Sequence, residues 1–64
     1  MRVETNSRKL IQMLQADGWT LASIEGDHHN FRHPTKRGKV TITHPRKDMP
    51  KGTVLSIYRQ AGWR

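Results

Sequence analysis

Three of the four histidines of this chain lie in one short stretch, Gly26-Asp27-His28-His29-Asn30-Phe31-Arg32-His33-Pro34. Imidazole is the side chain that gives and takes protons near neutral pH, and here it recurs beside a carboxylate, an amide and a guanidinium. A core strand would carry Val, Ile and Leu, so the repeated polar rings point to a surface that does proton chemistry or reads a polar ligand. The plainer reading is a polar edge strand whose histidines are simply solvated. On either reading, the remaining elements have to mount that stretch.

Charge narrows the choice of ligand. Twelve Lys and Arg against five Asp and Glu give a net charge of +7, which attracts polyanions. The cations gather after the middle of the chain, at Arg32, Lys36, Arg37, Lys39, Arg46, Lys47 and Lys51, a pattern that favours nucleic acid. No strongly amphipathic basic helix speaks for a membrane surface. With no cysteine there is no disulfide framework, no thiolate nucleophile and no Cys-based zinc site, and a reducing, cytoplasmic setting is expected. The longest apolar clusters, Leu10-Ile11 and Val54-Leu55, cannot span a bilayer, and Met1-Arg2-Val3-Glu4-Thr5 lacks the apolar core of a signal peptide. Residues 1–64 make one domain. A chain of that size buries only about 60% of its unfolded surface, which leaves no room for a large enclosed substrate cavity.

From Ser7 to Asp17 the apolar positions Leu10, Ile11, Met13 and Leu14 share one side of a helix, and Arg8, Lys9, Gln12 and Gln15 the other. Asn6 or Ser7 can cap its first turn; Asp17-Gly18 provides a left-handed exit, with Trp19 packing back on the last turn. Trp19 to Glu25 is rich in strand formers, but Leu21 and Ile24 have opposite parity, which predicts a strand with a bulge. Gly26-Asp27 turns the chain into a second strand, His28 to His33, with Phe31 as its large apolar residue. Gly38 to His44 is a third strand, with Val40 and Ile42 inward. A basic connector from Pro45 to Gly52, with Asp48 as a cap and Pro50 in the first turn, leads to a second helix. Its stripe is Val54, Ile57, Tyr58 and Ala61, and Gly62 ends it. The expected fold is α+β in the order α-β-β-β-α, a three-stranded antiparallel sheet with both helices on one face.

Alternation assigns the faces. With Phe31 inward, His29 and His33 join the covered face and His28, Asn30 and Arg32 the open one. Pairing Phe31 with Val40 leaves Pro34 to Arg37 as a four-residue hairpin loop, and sets His28 opposite Thr43, Asn30 opposite Thr41 and Arg32 opposite Lys39. The open face is then polar and basic throughout, and His28 is the ring it presents.

Asp17-Gly18-Trp19, the Gly26 to Pro34 stretch, His44-Pro45-Arg46-Lys47-Asp48-Met49-Pro50-Lys51-Gly52-Thr53 and Gln60-Ala61-Gly62, in that order, resemble the HicA family of bacterial toxins. The likeness covers Ser7 to Gly62. It implies a fold similar to the double-stranded-RNA-binding domain, an endoribonuclease that cleaves messenger RNA and arrests translation, and a cognate HicB-type antitoxin protein that masks its site. It also implies that His28 is the residue required for activity, because the essential histidine of the family directly follows a Gly-Ser pair. This chain carries Asp27 at the serine position.

RNA supplies its own nucleophile, the 2′-hydroxyl, so its cleavage asks for a base, an acid and positive charge, with no metal or cofactor required. His28 suits the proton work, with Asp27, which would fix its tautomer if it reaches the ring, and His29 as possible support. Asn30, Arg32, Lys36, Lys39, Arg46, Lys47 and Lys51 can hold the strand, the last three as a phosphate clamp at the start of the second helix, for which a solvated loop is the plain alternative. Four histidines could hold zinc, but adjacency turns His28 and His29 apart and no cysteine completes a tetrahedron. His33 and His44 precede prolines and read as loop anchors first and RNA contacts second, and Trp19 and Trp63 as packing residues. The rival to a nuclease is a non-catalytic RNA-binding module that grips with the same face.

Overall fold

The computed structural model describes residues 3–64; Met1 and Arg2, part of the stretch read against a leader, lie outside the described residues. The chain runs α1 (Ser7–Ala16), β1 (Thr20–Glu25), β2 (His28–Arg32), β3 (Val40–Thr43) and α2 (Lys51–Gln60). The strands form one antiparallel sheet in the order β1-β2-β3, so the fold is α+β as expected.

Helix α1 begins where Asn6 Oδ1 accepts the amides of Arg8 and Lys9 at 3.0 and 3.3 Å. It ends at Gly18, whose φ of +100° lets the Trp19 amide turn back and donate to the Leu14 carbonyl at 2.9 Å. That turn drives the Trp19 indole into the core beside Leu10 and Leu14 of α1, Val54, Ile57, Tyr58 and Ala61, and Phe31, Val40 and Ile42 of the sheet. Both helices therefore cover one face, and both pack on β3.

The ladder of β2 and β3 has the expected register: His28 faces Thr43, His29 faces Ile42, Asn30 faces Thr41 and Phe31 faces Val40. It stops there, so Arg32 and Lys39 do not extend it, and Arg32 Nη1 donates to the Gly38 carbonyl at 3.3 Å. In β1 a bulge falls between Leu21 and Ser23. It resolves the parity conflict by setting Leu21 opposite Phe31 and Ile24 opposite His29, both on the covered face. The helices lie toward β3, however, and leave Leu21 and Ile24 half exposed on the edge strand.

Helix α2 departs from expectation at its start. Pro50 occupies the cap position and no side chain caps the helix, so Asp48 is not its cap. Met49 is buried in the core and its amide donates to the Thr5 carbonyl at 2.9 Å. This holds the connector against the N-terminal segment and delays the helix past Asp48. Among the described residues no helix is long and apolar enough to cross a membrane.

Candidate functional site

The turn between β1 and β2 is made by Gly26, with φ +61°, and it delivers His28 as the first residue of β2 on the open face. The imidazole is 59% exposed, and its Nε2 lies 3.8 Å from Asp27 Oδ1. That is charge contact outside hydrogen-bonding reach, so the structure lacks the bond by which Asp27 was expected to fix the tautomer. Among the described residues, the other three histidines all commit a ring nitrogen. His29, on the covered face, donates from Nδ1 to the Asp27 carbonyl at 3.3 Å and meets the His44 ring edge-on at 5.1 Å. His33 donates from Nε2 to the Asp17 carbonyl at 2.8 Å and accepts at Nδ1 from the amides of Thr35 and Lys36, both at 3.1 Å. His44 Nδ1 lies 2.7 Å from Ser7 Oγ. His33 and His44 are loop anchors, as their prolines indicated.

Asn30 is on the open face by parity yet buried, which corrects the expectation of a solvated amide. Its Nδ2 donates to Ser23 Oγ at 3.1 Å and Glu25 Oε1 at 3.2 Å, and its Oδ1 accepts from Thr41 Oγ1 at 2.6 Å. Three polar neighbours close over the amide and tie β1, β2 and β3 together beside His28.

The cations divide into two groups. Lys36 Nζ sits 2.6 Å from Asp17 Oδ2 and donates to the Ala61 carbonyl at 3.0 Å, fastening the β2–β3 loop to the end of α2. Asp17 also accepts from the indoles of Trp63 and Trp19, each at 3.1 Å. The Lys36 bond foremost, then the Trp63 bond, hold its carboxyl down at about 2 against a partial desolvation that pushes the other way. Arg32 and Lys39 belong to this same end of the sheet, about 13 Å along β2 from His28 at the usual strand rise.

Arg46 and Lys47 lie at the other end. The His44 amide donates to the Asp27 carbonyl at 2.8 Å, so the connector starts beside the His28 turn. The Ser7 amide donates to the Arg46 carbonyl and the Arg46 amide to Ser7 Oγ, both at 2.8 Å, which carries the connector to the start of α1. Between them is a groove of about 360 Å³ lined by residues 6–9 and 44–47. Lys51, the first residue of α2, is exposed. Sequence reasoning left Ser7 as a cap candidate and Arg8 and Lys9 as an outer helix face. The contacts that recruit them span 37 and 39 residues, and no local pattern carries such a signal. Among the described residues no cluster of three or more His, Cys, Asp or Glu is placed to hold a metal ion.

Among the described residues, this small basic α+β domain thus brings an imidazole without a hydrogen bond and a cationic groove to the same end of its sheet. The family model described as HicA toxin of bacterial toxin-antitoxin matches residues 7–63, and the chain belongs to that family. It is therefore a toxin of the kind that is paired with an antitoxin. No curated protein matches the chain.

Proposed function

We propose that the protein is an endoribonuclease that cleaves messenger RNA in the cytoplasm, halting translation, and that a HicB-type antitoxin protein neutralises it. The observation that carries this reading is the His28 ring: 59% exposed, on the uncovered face, with neither nitrogen engaged in a hydrogen bond among the described residues. In the reaction the ribose 2′-oxygen bonds to the adjacent phosphorus and the bond from phosphorus to the 5′-oxygen breaks, leaving a 2′,3′-cyclic phosphate and a 5′-hydroxyl. His28 serves as the general base that takes the 2′-proton or the general acid that protonates the leaving oxygen. Arg46, Lys47 and Lys51 attract the phosphates near it, and Arg32 and Lys39 extend the basic track along the sheet. Asp27 and His29 support the turn that carries the ring, His29 through its bond to the Asp27 carbonyl. Asn30 and Lys36, whose polar atoms are engaged within the protein, act on RNA only by holding the surface in shape.

The test is a labelled transcript incubated with the purified protein, with and without a chelator, beside His28→Ala. Wild type is expected to cut in both conditions, and His28→Ala to lose about 10²- to 10⁴-fold in rate while melting at the wild-type temperature. Undiminished cutting by the variant removes His28 from the mechanism. Binding without cutting by the wild type replaces the nuclease with the RNA-binding module.

A further inference from the structure

The groove at the start of α1 is more than the rim of the His28 site. Its floor is a rigid strut: Ser7, 1% exposed, is bonded through its amide and its hydroxyl to Arg46, and through the hydroxyl to His44. Ser7 Oγ accepts the Arg46 amide and is hydrogen-bonded to His44 Nδ1 at 2.7 Å, so helix start, connector and ring are tied at one atom. On the walls, Arg8 and Lys9 from α1 stand with Arg46 and Lys47 from the connector, all four exposed. None of them forms an ion pair among the described residues. The nearby Glu4 carboxylate is turned onto the amides of Thr5 and Asn6. Asn6 already takes the amides of Arg8 and Lys9, so the attraction for an anion comes from the four side chains rather than from the helix end.

Charge also fixes the direction in which a polyanion would run. On one side of His28 its cross-strand neighbour is Glu25, which repels phosphate. On the other, the His44 amide is bonded to Asp27, so the groove opens one residue from the His28 turn. We propose that this groove is a second subsite for the RNA strand, holding a phosphate flanking the bond on which His28 acts, with Arg8, Lys9, Arg46 and Lys47 as its cations. The proposal deepens the ribonuclease reading and rests on it.

Binding of a 2′-O-methyl hexanucleotide, which cannot be cut through its 2′-oxygens, is measured against salt for wild type, Arg8→Ala/Lys9→Ala and Arg46→Ala/Lys47→Ala. Arg59→Ala/Arg64→Ala, which removes two exposed charges elsewhere, is the control. Each groove pair is expected to flatten the slope of log K against log salt by up to about 0.7, the value for one single-strand phosphate, and the control to leave it near wild type. The Arg→Gln/Lys→Gln pairs, which keep the apolar stems, repeat the measurement if an alanine pair melts early. Wild-type slopes in both groove pairs, with cleavage of unmodified RNA intact, overturn the subsite and leave the nuclease standing. Flattened slopes from a protein that cuts nothing overturn the nuclease and keep the groove as a strand-binding site. Wild-type RNA binding with lost antitoxin binding assigns the groove to the protein partner and also overturns the proposal.

Discussion

The two ends of the sheet use the same residue types for opposite ends. At the β2–β3 end an aspartate, a lysine, a histidine and two tryptophans are locked together: Asp17 accepts from Lys36, Trp19 and Trp63, and the His33 ring edge packs on Trp19 at 5.2 Å with both nitrogens bonded. At the β1–β2 end an aspartate and a histidine stand 3.8 Å apart, both about 60% exposed, beside cations with no acidic partner among the described residues. The chain completes its polar network at the loop end and leaves it incomplete at the end where the proposed reaction would place its substrate. A charged side chain is thus informative through what it touches, since Lys36 and Lys47 look alike as residues and differ wholly in commitment.

Glycine substitutions break the comparison most forcefully, because both ends turn on a positive φ. A Cβ at Gly18 would lie 2.9 Å from His33 Nε2, the atom that donates to the Asp17 carbonyl. Gly18→Ala therefore strains the backbone and displaces the ring, and is expected to cost roughly 3 kcal/mol in chemical unfolding. A Cβ at Gly26 meets nothing within 4 Å. Gly26→Ala should cost only the left-handed strain, about 1 kcal/mol. Equal losses would mean that the β2–β3 end is no more tightly closed than the other.

Acid sharpens the same contrast. The Asp17 carboxyl is lowered from 3.8 to about 2 in the folded chain, so the folded state binds the proton more weakly than the unfolded one. Its contribution is fully present above the unfolded value and is lost as the pH falls through about 2. Thermal melting of wild type and Asp17→Asn between pH 6 and pH 2 should show the wild type ahead at the upper end and the gap closing below about pH 4. A constant gap would show that the carboxylate charge is not what holds Lys36 and the indoles.

Much of this is legible in the sequence. The β2–β3 register followed from two alternating runs and a short hairpin, because a slip of one residue would have turned Phe31, Val40 and Ile42 to solvent. The bulge followed from the mismatch of Leu21 and Ile24. What could not be read were the long-range polar ties: Ser7 to His44 and Arg46, Lys36 to Asp17, and the burial of Asn30. Each depends on which side chains meet across the fold, and hydrophobic period carries no information about that. Asp48 misled for a related reason, since its cap signal was local while Met49 had a stronger, distant attachment in the core.

The finest difference between the two ends concerns Asp27, which occupies the position where the resemblance to HicA toxins expects serine. If the open end worked like the closed one, this carboxylate would be a structural partner of His28 and its removal would be severe. The geometry argues otherwise: 3.8 Å between exposed groups is a screened contact worth at most about 1 kcal/mol. Asp27→Asn and Asp27→Ser should therefore change the rate of RNA cleavage by no more than about fivefold, against the far larger loss from His28→Ala. The carbonyl of residue 27, which accepts from both His29 and the His44 amide, is untouched by either change, so the turn keeps its shape. A loss from Asp27→Asn as large as that from His28→Ala would mean that the two side chains close up when RNA binds, and that the open end acquires the locked character of the other only in the complex.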